Sequence, residues 1–461
     1  MRRLVAAGVV LVSLPYWLPK AVVALRMRIF ARINGEEAIE VPGPRVDSAH
    51  FKQVYAHPAA RGRSKGAALS DLFWYWLAPG PHVHQEHLED GDRYESVART
   101  TRRILSIPSP AAESLTTQCA GRVLDEQPVR DVDTVRLRDL MMPIWAEFYY
   151  ELIFAERCPA AARRLIVDNA NDVVTALKCC GLRHMRKRRR LTRYLIDRLT
   201  SGEVPQDLPA SLTLEEQAYY LQGTYFNTAV VQMSEAMTHV LLVLAQHKDI
   251  QDRLVADPSD DRYLDRVIDE TLRAYPLFGV AHRITSAEIA IDGVAPIPAG
   301  SVLCFSYPGY QSSGFSNGDE FDPDRWEALS AKDASYIPFG IAANRPCPAW
   351  RLSPITMRAA TREILARYAL YSSASHTRSI PHRGPCVLVR RPGHQSVAAR
   401  LAAMRVRDRI DDMWRSIVQL VLGTYMVADA RRLGLAERYF RTHDLQGRPH
   451  STGCPMENGA R

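Results

Sequence analysis

Apolar residues recur at three- and four-residue spacing over most of the middle of this chain, and this periodicity restricts the fold more than any other feature. The pattern predicts amphipathic or buried helices within 93–105, 135–156, 160–200, 213–256 and 259–275. Strand signals are few. Residues 282–308 combine alternation, β-branched side chains and Pro/Gly turns, and 384–391 is a further short candidate. The sequence therefore predicts a mainly α protein with small β-sheets.

The composition is that of a folded chain long enough to bury a large core, with 461 residues of which 46% are hydrophobic and 24% charged. The eight cysteines form neither CxxC pairs nor Cys/His clusters, so neither a zinc site nor a disulfide scaffold is predicted, and a reducing compartment fits best. The net charge of +8 would attract an acidic partner, an anionic membrane surface or nucleic acid, and composition does not choose among them. The basic cluster at 183–193 has no interleaved aromatic residues, so we read it as a solvated face and predict no nucleic-acid partner.

Three regions are predicted: an N-terminal apolar segment at 1–40, a body at 41–395, and a C-terminal helical extension with a tail at 396–461. Pro15, Pro19 and Lys20 interrupt the apolar residues 4–25, which argues against an uninterrupted spanning helix. Peripheral membrane contact and a helix packed on the body both stay open for this segment. The extension carries an apolar stripe on its predicted helices, and we expect this stripe to pack on the body, while pairing of two chains and membrane contact are the alternatives. The oligomeric state is left open.

Cys347 is the candidate chemical centre. It lies in SYIPFGIAANRPCPAW, and a helical pattern follows it. A helix N-terminus favours the anionic form of a cysteine, and Arg345 adds positive charge two residues earlier. These features suit a thiolate for metal ligation or nucleophilic chemistry. From this position alone, a buried cysteine that acts as a small apolar side chain is the commoner alternative.

Two further motifs precede this loop. Glu270 and Arg273 stand at i and i+3 on one predicted helix face, within reach of each other. Arg325 lies in FDPDRW, a Pro-bounded turn between that helix and the cysteine loop. Each motif is common by itself, and the ordered set is far more specific than its parts.

This ordered set resembles the cytochrome P450 family, as do IPAGS at 297–301 and RGPCVLV at 383–389, so that the resemblance spans residues 41–392. The resemblance implies a cytochrome P450-like fold enclosing haem b, with Cys347 as the proximal iron ligand. It implies that Glu270, Arg273 and Arg325 form a structural charge network behind the haem.

The resemblance also implies arginine contacts to the haem propionates. Arg345 and Arg283 stand at positions from which family members make such contacts. For a third contact, on an early helix, Arg99 is our choice over Arg102 and Arg103.

The central helix departs from the family pattern. Family monooxygenases have a carboxylate followed by a threonine at the positions that here are Val231 and Gln232. Gln232 can orient water or a ligand but cannot donate a proton as an acid, and Thr228 lies about one turn earlier. These two residues are the catalytic candidates. In the cysteine loop, Ala343 and Ala349 replace customary glycines, so we expect an altered loop conformation.

The leading functional hypothesis is a cytoplasmic monooxygenase that oxidises a small organic molecule, of secondary-metabolite or lipid-like character. Electrons would come from NAD(P)H through a separate ferredoxin or flavoprotein reductase, since the sequence shows no flavin or iron–sulfur signature. A haem-thiolate enzyme of the peroxide-using, isomerase, dehydratase or nitrene type is the first alternative, and a non-catalytic haem-binding protein is the second. The substrate is unreadable, although the aromatic run 73–76 could line a pocket or belong to the core.

Overall fold

The computed structural model describes residues 2–34, 38–126, 130–277, 279–315, 317–330, 334–374, 376, 383–393 and 395–450. Within these residues the chain is mainly helical with short strands, which confirms the fold class predicted from the periodicity. Cys454 and the rest of the predicted tail beyond residue 450 lie outside the described residues.

The helices are α1 (Arg2–Asn34), α2 (Phe51–Ala56), α3 (Ala68–Leu77), α4 (Asp92–Leu105), α5 (Ser109–Glu126), α6 (Leu137–Phe154), α7 (Ala160–Leu177), α8 (Met185–Thr200), α9 (Leu214–Leu221), α10 (Val230–Gln246), α11 (Lys248–Ala256), α12 (Asp261–Ala274), α13 (Tyr307–Ser313), α14 (Leu352–Arg367), α15 (Ala398–Leu433) and α16 (Leu435–Thr442). The strands are β1 (Ala38–Val41), β2 (Val132–Arg136), β3 (Val280–Ile284), β4 (Ile289–Ile291), β5 (Val294–Ile297), β6 (Val302–Ser306), β7 (Tyr368–Tyr371) and β8 (Pro385–Arg390).

The strands form small sheets at the edge of the helical body. One sheet has the order β1-β6-β3, with β1 parallel and β3 antiparallel to β6. A second has the antiparallel order β2-β8-β7, and β4 pairs with β5 as a hairpin. The predicted strand segments become β3–β6 and β8. Strand β3 carries Arg283, so this sheet positions a candidate cofactor contact.

The centre of the fold is one continuous helix over Leu214–Gln246, made of α9, a π-helical turn at Gln222–Ala229, and α10. Within the described residues it is the one helix long and apolar enough to cross a membrane. Of its most apolar stretch, 78% is buried inside the fold, so its hydrophobicity is that of a core helix. The π-helical turn changes the direction of side chains such as Thr228, and such turns often occur at functional sites.

The C-terminal extension packs on the body. Met426 and Val427 of α15 lie in one apolar cluster with Tyr75 and Trp76 of α3, and α16 also packs on α3. The aromatic run 73–76 is therefore part of this contact region, and none of its residues lines the large cavity described below. Packing on the body is the arrangement expected for the extension.

The predicted basic cluster lies mostly on α8. Its exposed members include Arg186, Lys187 and Arg189, as a solvated helix face requires. Arg188 is an exception. It is fully buried, and its Nε donates to Asp172 over 2.6 Å.

Candidate functional site

A buried charge network lies around Glu270 on α12. Arg273 Nε and Nη2 each donate to its carboxylate over 2.8 Å, and Arg325 Nε donates over 3.1 Å. Trp326 Nε1 and the backbone N–H of Asp322 donate to the same carboxylate over 3.0 Å each. A fully buried carboxylate with this many donors fixes the turn that leads to the cysteine loop. The structure therefore brings together the three residues of the predicted network.

The cysteine loop closes over short backbone hydrogen bonds. The N–H of Cys347 donates to the carbonyl of Phe339 over 2.8 Å, and the N–H of Trp350 donates to the carbonyl of Cys347 over 3.3 Å. Gly340 and Arg345 provide the left-handed backbone of this loop, with φ of 76° and 53°. Neither Ala343 nor Ala349 has positive φ, so the alanines stand where no glycine geometry is required.

The prediction that Cys347 is a thiolate is wrong for the free side chain, whose pKa is raised. Burial raises the pKa of Cys347 to about 11, and the charge of Glu86 acts in the same direction. A hydrogen bond from the backbone N–H of Ala349 lowers the pKa but is outweighed. Helix α14 begins only at Leu352, so the helix dipole acts from farther away than the sequence pattern suggested. A bound metal ion is what would make this sulfur a thiolate, since coordination deprotonates a thiol.

Cys347 opens onto a cavity with an empty volume of about 1230 Å³. Its walls come from the cysteine loop, the central helix, β3, and the segment 84–86. Four of the predicted site residues besides Cys347 line the same cavity: Arg345, Arg283, Thr228 and Gln232. Most of the remaining lining is apolar, including Tyr149, Met233, Ala236, Leu272 and Phe339.

Two buried guanidinium groups lie in the wall near the cysteine loop. Arg345 donates to the carbonyl of Leu88 and to the carboxylate of Asp90, and it lies 3.7 Å from the centre of the Tyr94 ring. Arg283 donates to the carbonyl of His282 over 2.7 Å and to Tyr55 Oη over 3.0 Å.

In both arginines the buried Nε has no partner among the described residues. A buried donor of this kind is costly unless a ligand satisfies it, and carboxylates are the natural partners of guanidinium groups. A cysteine sulfur between two such arginines fits haem, which has an iron for the sulfur and propionates for the arginines.

Arg99 is placed differently. It is exposed on α4 and is not part of the cavity lining. The structure brings together five of the six predicted site residues and leaves Arg99 outside the group.

A histidine holds the threonine of the central helix. His84 Nε2 lies 2.7 Å from Thr228 Oγ1. The backbone N–H of Glu86 donates to Nδ1 of the same ring over 3.2 Å, so Nε2 carries the proton and donates to the threonine. Burial lowers the pKa of His84, which keeps the ring neutral. Gly223 makes room for the ring, because an added Cβ there would lie 3.2 Å from His84 Cδ2.

The other polar residues of the central helix divide between two faces. Gln232 lines the cavity. Glu235 lies outside the lining and is buried between Arg138 and Lys178, at 2.9 Å and 2.6 Å. The positive charge of these partners lowers the pKa of Glu235 and holds it as a carboxylate. It is therefore a structural ion pair on the far side of the helix.

Sequence reasoning missed His84 and Glu86, which both line the cavity. Burial raises the pKa of Glu86, and the nearby His84 ring and the positive charge of Arg345 only partly offset this effect. A signal was present in the sequence, since HVHQEH at 82–87 is a run of ionisable side chains without helical periodicity. The pairing of His84 with Thr228 joins residues 144 positions apart in the chain, and no local sequence pattern reveals such a contact.

The family model for cytochrome P450 matches residues 182–397. Putative cytochrome P450 135B1 from Mycobacterium tuberculosis is 29% identical over 180 residues, which cover 37% of this chain and 38% of that protein. Beta-amyrin 11-oxidase from Glycyrrhiza uralensis is 33% identical over 127 residues, 27% of this chain and 25% of that protein. The chain thus matches well under half the length of these curated relatives.

Solved structures show the same fold at low sequence identity. Cytochrome P450 OleT in complex with arachidonic acid superimposes with a TM-score of 0.61 at 15% identity, covering 74% of this chain and 86% of that one. Retinoic acid-bound cyanobacterial CYP120A1 gives a TM-score of 0.59 at 15% identity, with 73% and 86% covered. The matched family model, the relatives and the fold all support a cytochrome P450 family protein. Haem is the cofactor of this family.

Proposed function

We propose that this protein is a haem-thiolate monooxygenase that oxidises a small apolar organic molecule with electrons from a separate redox partner. The observation that carries the proposal is the convergence of Cys347 and the buried residues Arg345 and Arg283 on one cavity. Bound haem would supply the redox chemistry there, and the sulfur of Cys347 would hold its iron.

The chain's own residues would hold and orient the bound cofactor. Arg345 and Arg283 offer charge-assisted hydrogen bonds to carboxylates at the edge of the cavity, which fixes the position of a bound cofactor. The ring of Tyr94 and the carboxylate of Asp90 in turn hold Arg345. Both arginines are at least nine-tenths buried, so little of their orientation is left to solvent.

The pair Thr228 and His84 supplies a positioned hydroxyl. Thr228 Oγ1 accepts from His84 Nε2, and the threonine's own proton is then free to be donated into the cavity. This arrangement supports a role in guiding protons that family monooxygenases assign to an acid and a threonine on the central helix. Gln232, on the same wall, can orient a water molecule or a substrate carbonyl.

The cavity wall supports an apolar substrate. Tyr149, Met233, Ala236 and Leu272 are buried side chains that present carbon surface to the cavity. Polar groups are few and lie near the arginines and the Thr228 hydroxyl, so they would orient a ligand of otherwise apolar character.

An electron donor could approach beside the cysteine loop. Trp350, three positions after Cys347, is 49% exposed, and the Arg351 guanidinium lies 4.6 Å from the centre of its indole ring. An exposed aromatic residue with an adjacent arginine is a suitable contact for an acidic ferredoxin or flavoprotein reductase. NAD(P)H would act through that partner.

A second candidate function is a haem-thiolate enzyme that does not activate oxygen in the usual way. The observation in its favour is that Val231 and Gln232 stand where the carboxylate and threonine are usual. A peroxide-using, isomerase, dehydratase or nitrene-type reaction does not require that pair. A third, a haem-binding protein without turnover, would keep the site but show no product.

The test uses the haem-loaded full chain. Small apolar molecules are screened by the change in haem spin state, and those that bind are incubated either with NADPH and donor proteins or with hydrogen peroxide alone. Product that requires donor and NADPH supports the monooxygenase. Equal turnover with peroxide alone favours the second function, and spin-state ligands that are never converted favour the non-catalytic protein.

For localisation, we propose a cytoplasmic protein whose N-terminal segment contacts a membrane surface peripherally. Tyr16 and Trp17 support this, since they are 58% and 46% exposed on α1. Both residue types are favoured at membrane interfaces.

A further inference from the structure

The extension helix α15 exposes a continuous apolar stripe although it packs on the body. Between residues 410 and 425 every fully exposed position of this helix is apolar or aromatic. These residues, spaced by three or four positions, are Ile410, Trp414, Ile417, Val421 and Tyr425. Such spacing places them on one side of the helix along about 22 Å. Trp414 and Val421 are 62% and 61% exposed, which is unusual for large apolar side chains in a row.

Helix α1 runs beside α15 and also exposes apolar and aromatic side chains. Arg409 donates to Tyr16 Oη over 2.9 Å, and a Cβ on Gly423 would lie 2.8 Å from Phe30 Cζ. The two contacts are 14 residues apart along each helix, so the helices are parallel and in register. Tyr16, Trp17, Val23 and Leu25 of α1 are also exposed. We call the exposed residues 16–25 of α1 and 406–425 of α15 the paired-helix face.

The charges around the paired-helix face are basic. Before the apolar stripe of α15, the exposed charged residues are Arg400, Arg405, Arg407 and Arg409, and after it they are Arg431 and Arg432. Asp411 and Asp412 within the stripe are half-buried, and Asp411 pairs with Arg407. On the described part of α1 the exposed charged residues are Lys20, Arg28 and Arg32. An apolar, aromatic-rich face bordered by arginines and lysine is complementary to a layer of acyl chains under anionic headgroups.

A second copy of the chain is a poorer occupant of this face. In a symmetric dimer with antiparallel α15 helices, the arginines at 405–409 would meet those at 431–432 of the other copy. In a parallel arrangement each group would meet its own equivalent. Either pairing brings like charges together, which is unfavourable.

We propose that the paired-helix face binds the surface of an anionic lipid bilayer, with α1 and α15 lying in the plane of the interface. The aromatic residues Tyr16, Trp17, Trp414 and Tyr425 insert at headgroup depth, and the basic residues at the ends contact lipid phosphates. The C-terminal extension then has a function of its own, which is to double the contact area that α1 alone could offer. This proposal is independent of the haem chemistry, because it uses no cavity residue.

The experiment measures sedimentation of the purified full chain with vesicles. Vesicles of phosphatidylcholine alone are compared with vesicles that also contain phosphatidylglycerol. We expect binding to the anionic vesicles, weakened at higher salt. Trp414→Ser with Val421→Ser should reduce the affinity by more than about tenfold, because two large apolar side chains leave the interface. Arg405→Gln with Arg407→Gln should reduce it by about fivefold for each charge.

Controls separate lipid binding from unfolding and from dimerisation. Leu182→Ser and Leu445→Ser remove exposed apolar side chains from other surfaces, 43% and 44% exposed, and should leave vesicle binding unchanged. Circular dichroism melts verify that each variant is folded. Equal binding to neutral and anionic vesicles, or an effect of the control variants as large as that of Trp414→Ser with Val421→Ser, would overturn the proposal. So would dimerisation through this face, seen by analytical ultracentrifugation, without vesicle binding.

Discussion

The two walls of the cavity follow the family pattern to different extents. On the cysteine side, Glu270 receives hydrogen bonds from Arg273, Arg325 and Trp326, and Cys347 follows in its expected order. On the central-helix side, the usual acid and threonine are replaced by Val231 and Gln232. A threonine one turn earlier, Thr228, is held instead by His84. This difference indicates that the residues that support the cofactor site can be kept while the residues that guide protons change.

The largest expected effect is a loss of stability when the Glu270 network, on the cysteine side of the cavity, is broken. Glu270→Ala leaves two arginines buried without their carboxylate, and removal of one partner of such a network costs about 3–5 kcal/mol of unfolding free energy. Urea denaturation measures this loss. Glu327→Ala is the matched control, because Glu327 is exposed and its bond to Arg266 should contribute less than about 1 kcal/mol. Equal losses in both variants would mean that the Glu270 network does not support the fold.

The next effect concerns the propionate contacts. Arg345→Leu should weaken haem binding by about 10- to 100-fold, because hydrogen bonds to charged groups contribute about 1.5–3 kcal/mol. Titration of the haem-free protein measures the dissociation constant. Arg99→Leu should leave it unchanged, since Arg99 is exposed outside the cavity. A larger effect at Arg99 than at Arg345 would restore the early-helix contact expected from the family resemblance.

The next prediction concerns the pH dependence of stability, which should arise from His239 and His376, a buried histidine pair outside the cavity lining. His239 Nδ1 lies 2.8 Å from His376 Nε2, and Tyr275 stacks on both rings. Burial lowers the pKa of His239 to about 4 and that of His376 to about 2. Glu235 raises the first pKa, whereas Lys178 lowers it, and His247 lowers the second.

The direction in which pH changes the stability follows from these lowered pKa values. The unfolded chain binds these protons more readily, so stability is complete above the ordinary histidine pKa of about 6.5 and decreases as the pH falls below it. At about pH 5 the loss is about 2 kcal/mol for each histidine. His376→Asn should therefore flatten the decline of unfolding free energy between about pH 7 and about pH 5. An unchanged slope would show that these rings are already protonated in the folded protein.

The smallest expected effect concerns the central-helix side of the cavity, where His84 contacts Thr228. His84→Phe keeps a ring beside Gly223 but removes the donor to Thr228, and a single hydrogen bond of this kind contributes about 0.5–1.5 kcal/mol. Product formed per NADPH oxidised should fall by about 2- to 10-fold, with haem content unchanged. His247→Phe changes a histidine outside the cavity and should leave the yield as it is. An unaltered yield in His84→Phe would exclude the histidine from proton guidance.

Sequence reasoning predicted the helical architecture and the members of the Glu270 network, because each depends on local periodicity or on short ordered motifs. Five of the six proposed site residues line one cavity, and their functional roles stay predictions. The ionisation of Cys347 could not be read locally, since the raised pKa arises from burial by residues distant in sequence. The partnership of His84 with Thr228 requires a π-helical turn and a loop that meet only in the folded chain. Arg99 illustrates a further limit, because Arg99, Arg102 and Arg103 are all exposed and the buried arginine of α4 is Arg93, which no local pattern singled out.

The most direct test of the account is the carbon monoxide difference spectrum of the reduced, haem-loaded protein. We expect the thiolate-type absorption band in the wild type and in Cys180→Ala, whose cysteine lies at the end of α7 outside the cavity. We expect its loss in Cys347→Ala, with circular dichroism showing the helices intact. A band that persists in Cys347→Ala, or that is missing from correctly loaded wild-type protein, would contradict ligation by Cys347.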